Sequence, residues 1–312
     1  MASCSHSKGQ RVVERIIRPF LRWYGGLPLR PGRSKIKFVA RHLVEGPCLS
    51  EIAPGLRLHL DLNVFDHEKL FYFFEEYEPS LQWIIQRLFP VGGTFVDCGA
   101  NVGFFGLAAI HWRGAKVVFI EPHPQCAEVI RLNLRANHFE GFGRVFQHAA
   151  SDRSGLRRLT TRSDSGVTFH LKDEGETLPE SIEVEVKTLD YLFREQIVRS
   201  IDLLKIDAEG YDFLVLRGLG EWLCPAWIRS VYLEGSQDGQ AIWTLRRERG
   251  YTGFGGHNVH YYQVKRHERR HGQFLALTFL DRPARDMLWV TRGSADEAFA
   301  SRWCRIHESL KR

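Results

Sequence analysis

The chain has 312 residues and a mass of 36.1 kDa, with 44% hydrophobic and 26% charged residues, which excludes a disordered or fibrous protein. A net charge of +6 and a pI of 9.0 would suit nucleic acid or an anionic surface, but the excess is local. Residues 1–45 hold ten Lys and Arg against two acids, and the remaining 33 bases and 35 acids leave the rest of the chain at −2.

In chain order, residues 11–24 place Val12, Val13, Ile16, Ile17, Phe20, Leu21 and Tyr24 at helical spacing, with Arg11, Arg15, Arg18 and Arg22 facing away. Pro19 predicts a kink there. An arginine face opposite an apolar stripe suits a cap helix packed on the domain with its arginines in water, and as the alternative peripheral docking on an anionic membrane surface. Residues 36–62 read as short strands and residues 66–89 as helical, so residues 1–90 form an N-terminal basic and cap segment. From Thr94, strands alternate with helices, the signature of a mostly parallel sheet covered on both faces. Residues 156–188 interrupt that rhythm with a half-exposed antiparallel insertion, where Ile182, Val184 and Val186 alternate with Glu183, Glu185 and Lys187. FLALTFL and DMLWVT near the end suggest an antiparallel hairpin edge. The α/β domain is expected over 91–293, followed by a C-terminal helix over 294–312.

The six cysteines are scattered, without C-x-x-C or paired Cys/His spacing, so no zinc site or disulfide framework is predicted. No run of about 18 apolar residues spans a bilayer, and no signal-peptide pattern follows the cationic N-terminus. A cytoplasmic protein is expected, possible membrane contact being confined to residues 11–24.

The most informative segment is FVDCGANVGFFG, a strand running through a glycine-rich turn into a helix. A dinucleotide fingerprint needs glycine at the second position, and Asn101 stands there instead. The spacing is D-x-G-x-x-x-G, from Asp97, Gly99 and Gly103, which places an acid where an amine is welcome and a pyrophosphate is repelled. Glu121 ends the next strand, where a carboxylate can accept from both ribose hydroxyls. An acid for an amine, glycines for close approach and an acid for a ribose describe an adenosyl amino acid better than NAD.

VDCGANVG, IEP, AASDRSG, VKTLDYL and LLKIDAEGYDFLVLRG, in that order, resemble the FkbM family of S-adenosylmethionine-dependent methyltransferases. The resemblance spans roughly residues 75–292. It implies a class I, Rossmann-like methyltransferase fold: a seven-stranded, mostly parallel sheet with an antiparallel strand in its last pair. It also implies O-methylation of a hydroxyl on a sugar, a glycolipid or a related secondary metabolite. Carried onto this sequence, Asp97, Gly99, Asn101 and Gly103 would line the methionine part of the cofactor and Glu121, with Pro122 beside it, the ribose. His148 to Asp152, including Ala149, would flank the adenine. Family members often carry Glu-x-His near the end of the fifth strand, where this chain reads Glu234-Gly235-Ser236.

An aliphatic hydroxyl needs its proton accepted during methyl transfer. Asp207 at a strand end and Glu209 in the following turn can face the methyl group, Asp207 near the sulfonium or as proton acceptor and Glu209 on the substrate hydroxyl. Asp207, Glu209 and Asp212 would also suit a hard divalent metal, but three acids in one short stretch do not favour one, and Asp212 fits a helix first turn. Lys205 in an apolar strand suggests a salt bridge to one of these acids. His257 and His260, in a glycine- and aromatic-rich loop, are further candidates for the base, and Glu76 and Tyr77 could close over the cofactor. The alternatives are methylation of another nucleophile, a small-molecule or nucleic-acid amine, and a non-catalytic binding module. The near-neutral domain and the Asp-Ala-Glu-Gly turn, in place of Asp/Asn-Pro-Pro-aromatic, argue against nucleic acid.

Overall fold

The computed structural model describes residues 12, 16, 17, 19, 20, 47–74, 77–161, 169–172, 181–234, 238–256, 277–279 and 286–309. His257, His260, Glu76, Ser236 and most of the basic segment at 11–24 lie outside them; within that segment Ile16 and Phe20 are exposed and Ile17 packs on the core.

Strands β1 (Cys48–Ala53) and β2 (Leu56–Leu60) form an antiparallel hairpin. Where one helical stretch was expected, two helices follow, α1 (Phe65–Phe73) and α2 (Pro79–Arg87). The break has a backbone cause: Glu78 adopts a left-handed φ of 44°, and Pro79, which has no N–H to give, starts the second helix.

The chain then runs through β3 (Thr94–Cys98), α3 (Phe104–Arg113), β4 (Lys116–Ile120), α4 (Pro124–Ala136) and β5 (Gly143–Phe146). The expected third strand is split. After β5 the chain leaves the main sheet, and β6 (Ala149–Ala150) joins a second one with β7 (Gly155–Thr161), β8 (Phe169–Lys172) and β9 (Ser181–Lys187), in the order β6-β9-β7-β8. Apart from the parallel β6–β9 pair this insertion is antiparallel, as its alternating pattern predicts. The main sheet resumes after α5 (Tyr191–Arg194) with β10 (Leu203–Ile206), α6 (Asp212–Arg217), β11 (Ser230–Glu234), α7 (Gly239–Glu248) and β12 (Tyr251–Gly256). It ends with β13 (Leu277–Phe279), β14 (Asp286–Thr291) and α8 (Ala295–Ser309).

The main sheet has the order β13-β12-β14-β11-β10-β3-β4-β5. Five strands from β5 to β11 are parallel, and β14 runs against them between β11 and β12. These are the seven strands of the class I methyltransferase architecture, with short β13 as an added edge strand. β13 and β14 do not form the predicted hairpin, since each pairs with β12 instead. Residues 286–290 of β14 are all buried, and a strand covered on both faces belongs inside a sheet rather than at its edge.

Side chains alternate between two cores. Phe95, Val117, Phe119, Leu203 and Tyr232 face α3, α4, the cap and α8; Val96, Val118, Ile120, Leu204 and Val231 face the opposite side with α5, α6 and α7. The cap shares the first of these cores. It is further tied down by Asn133 of α4, fully buried, whose Oδ1 accepts from the His59 amide at 2.7 Å while its Nδ2 donates to the Val102 carbonyl at 2.9 Å. One asparagine therefore joins the end of β2 to the glycine loop. Replacing Asn133 by Ala strands a partly buried N–H and a buried C=O, and urea denaturation is expected to show a loss of about 2–4 kcal/mol.

Candidate active site

The β3–α3 turn is built from left-handed residues, Gly99 (φ 76°), Asn101 (φ 51°) and Gly103 (φ 82°). Gly99 is required twice over, because a Cβ there would lie 1.9 Å from the Asp207 carbonyl oxygen. The loop thus lies directly against the β10–α6 turn, which carries its own positive-φ pair, the strained Glu209 (φ 48°) and Gly210 (φ 97°). Backbone strain of this kind outside glycine concentrates at functional sites.

Between the two turns, at the carboxyl edge of β3, β4 and β10, opens a half-open cavity. It lies at the place where open α/β sheets bind ligands. Gly99, Asn101, Asp207 and Glu209 line one end; Ile120, Pro122, Ala149 and Leu159 give the other an apolar wall, and Glu121 and His148 also line it. Leu159 comes from the inserted sheet and was not singled out in the sequence. Its signal was only its parity in a half-buried strand.

Glu121 is buried and bound on both oxygens. Oε2 accepts from the Asn101 amide at 2.8 Å and Oε1 from the His123 amide at 2.9 Å. Each oxygen keeps a lone pair for a further donor. Burial, opposed by these two amides, raises its pKa to about 7. His148 is held by the Ala149 carbonyl on Nδ1 (2.9 Å) and by the Tyr191 hydroxyl on Nε2 (2.8 Å). The carbonyl can only accept, so Nδ1 carries the proton and the tyrosine donates to Nε2. Burial lowers the His148 pKa and keeps the ring neutral.

Asp97 and Gly103 lie off the cavity wall. Asp97 shares its side of β3 with Phe95, so its carboxylate faces α3; Oδ2 accepts from the Gly106 amide at 3.1 Å and Oδ1 lies 3.5 Å from Lys205 Nζ. Gly103 begins α3 against Ile130 and Phe119. Asp152 is paired with Arg217 at 3.7 Å, outside the cavity. Tyr77 stacks on Phe105 at 5.8 Å instead of lining the cavity.

Lys205 is 2% exposed. Its Nζ donates to the Gly99 carbonyl at 3.1 Å and to Asp207 Oδ2 at 3.2 Å, in addition to the Asp97 contact. Glu209 is exposed as a residue, yet loss of water at the cavity edge, reinforced by Asp207 and Asp212, pushes its carboxyl up to about 7. Asp212 is fully buried and accepts from the Ala208 amide at 3.2 Å, closing the turn; burial raises it to about 7 as well. Among the described residues, no group of three or more His, Cys, Asp or Glu is arranged to hold a metal ion, and none of the described helices is long and apolar enough to cross a membrane.

The family model described as "Methyltransferase FkbM domain" matches residues 97–252, half of the chain and all of this cavity. The chain belongs to the FkbM methyltransferase family. Among relatives, the methyltransferase sdnD of Sordaria araneosa is 29% identical over 42% of this chain and 62% of its own length. The 31-O-demethyl-FK506 methyltransferase FkbM of Streptomyces tacrolimicus is 31% identical over 46% of this chain and 65% of its own. The match therefore spans less than two thirds of the length of either relative. A solved precorrin-6y C5,15-methyltransferase from Geobacter metallireducens overlaps 69% of this chain and 87% of its own, at 12% identity and a TM-score of 0.37.

Removing the buried cation by Lys205→Met takes the shared partner from Asp97, whose carboxyl burial already pushes up, and from Asp207, and chemical denaturation is expected to register a loss of about 3–5 kcal/mol. Glu121 supplies a signed pH dependence. Its folded pKa of about 7 lies above its ordinary 4.5, so the stability it contributes is full below about 4.5 and is lost as pH rises through about 7. Across that window the melting temperature of the ligand-free protein should fall relative to that of Glu121→Gln; a constant difference would contradict the assignment.

Proposed function

We propose that the chain is an S-adenosylmethionine-dependent O-methyltransferase acting on a hydroxyl of a sugar, glycolipid or related secondary metabolite. The observation that carries this reading is the pairing of Glu121 and Glu209 across one cavity: a ribose-type acceptor at one side and a carboxyl poised near neutrality at the other.

The donor chemistry of the residues fits the cofactor. Glu121, already fixed by two amides, keeps lone pairs for two ribose hydroxyls. Ile120, Pro122, Ala149 and Leu159 offer flat apolar cover for a purine, and the neutral His148 borders the same wall. At the other end, Gly99 allows close backbone approach and Asp207 offers negative charge to a sulfonium or an amine. S-adenosylmethionine, when bound, supplies a methyl group open to in-line displacement, so much of the rate would come from positioning.

Of the two candidate acids, Asp207 has one oxygen committed to Lys205. Glu209 has no such cation against it in the described hydrogen bonds and ion pairs, and its pKa of about 7 matches the operating range of a general base. Glu209 would take the proton of the acceptor hydroxyl, with bound S-adenosylmethionine supplying the methyl group, and Asp207 would hold the electrostatics of the reacting end. Oxygen as the acceptor atom is supported by the relative named as a 31-O-demethyl-FK506 methyltransferase. The sugar, glycolipid or metabolite class is the one that the FkbM resemblance implies.

Isothermal titration with S-adenosylmethionine, against NADH as control, tests the cofactor; absence of S-adenosylmethionine binding would sink the reading. A labelled-methyl screen over glycans, glycolipids and polyketide alcohols then identifies the acceptor. With it in hand, Glu209→Gln is expected to lower kcat roughly 10²–10⁴-fold while leaving cofactor affinity within about twofold. Because the base must be unprotonated, wild-type kcat should rise with pH through about 7, and this rise should vanish in the Gln variant.

A further inference from the structure

The N-terminal cap touches the cofactor loop at a second place besides Asn133. His67, in the first turn of α1, is 9% exposed. Its Nδ1 accepts from the Asp61 amide at 3.1 Å, so the ring proton sits on Nε2. That Nε2 is buried without a hydrogen-bond partner within 3.5 Å, and so is Oδ1 of Asn101, the left-handed residue of the glycine loop. The two side chains belong together, since the Asn101 carboxamide is among the groups acting on the His67 ring. A donor and an acceptor, both buried and neither with a partner within 3.5 Å, complement each other, and closing them into a hydrogen bond satisfies both. Leaving them apart costs both desolvation penalties, so the closed arrangement is favoured whenever the loop is held in place.

Asn101 is at the centre of the cavity's geometry. Its amide donates to Glu121 Oε2, the residue lines the cavity, and its neighbours Gly99 and Ala100 both donate to the Ile120 carbonyl. Fixing the Asn101 side chain therefore fixes the loop that orients Glu121. We propose that His67 is a positioning residue for the cofactor site: through Nε2 it holds Asn101 and, with Asn133, makes the cap a working part of the glycine loop. The inference rests on the cofactor reading above only for its binding arm.

Two substitutions separate the two ends of the imidazole. Asn at position 67 reproduces Nδ1, keeping the Asp61 contact, and Gln reproduces Nε2, keeping the reach to Asn101. Hydrogen–deuterium exchange of residues 99–103 in the ligand-free protein is the first readout. Exchange should quicken about fivefold in His67→Asn, the order of one net hydrogen bond, and stay near wild type in His67→Gln. The second readout is S-adenosylmethionine affinity by calorimetry, expected to weaken about fivefold in His67→Asn and to be restored in His67→Gln. In an Asn101→Gly background, His67→Asn should change neither quantity further. Equal behaviour of the Asn and Gln variants, or additive effects with Asn101→Gly, would overturn the proposal. Should His67→Asn fail to fold, His67→Ala takes its place: exchange over 99–103 faster than in His67→Gln supports the role, and equal exchange in the two removes it. If the wild type binds no S-adenosylmethionine, the function above fails, while the exchange readout still settles the His67–Asn101 link.

Discussion

The Lys205 ammonium is buried between β3 and β10, and three oxygens converge on it: the Gly99 carbonyl, Asp207 Oδ2 and Asp97 Oδ1. A cation this deep survives only with such compensation, and breaking the set leaves charge stranded in the core. The set also dictates where the site's parts stand. It draws the glycine loop and the acidic turn onto the same point, so closely that Gly99 has no room for a Cβ beside the Asp207 carbonyl. The cavity is the space left above that junction, and its shape follows from it.

The same interaction sorts the acids into different tasks. Asp97 and Asp207 share the buried cation, while Asp212 is spent on the backbone of its own turn. Glu121 is tied to two amides, and Glu209 stands at the rim, where partial loss of water and two neighbouring acids set it near neutrality. Carboxyl groups within one small region thus come to differ in their partners and in their affinity for a proton by environment alone.

Much of this was legible in the chain. The D-x-G-x-x-x-G spacing and the acid at the end of the next strand located the cavity, and the Lys205 pairing was foreseen from a lysine in an apolar strand. The direction of Asp97 was less visible, although its parity with Phe95 places it on the α3 side by strand alternation. The sequence points to Glu76 and Tyr77 of the cap, but not to the residues through which the cap meets the glycine loop. His59 and Asn133 are 74 residues apart, and neither residue type at those positions announces a partner. Leu159 reaches the cavity only because the chain leaves the main sheet after β5 and returns over it as a separate sheet.

Local chemistry and periodicity are written along the chain, so the strand–turn–helix signature, the alternating sheet and the cofactor class could be inferred from residues alone. Which carboxylates see the ligand, which see a buried lysine and which see only backbone depends on the direction each side chain takes once strands from distant parts of the chain lie side by side. The opening charge of +6 shows the same division. Its concentration in the first 45 residues was a matter of counting, but the placing of a cap histidine and an α4 asparagine on the glycine loop arose only from packing. Distance in sequence carries no record of such contacts, because the desolvation and hydrogen bonding that decide them exist only in the folded chain.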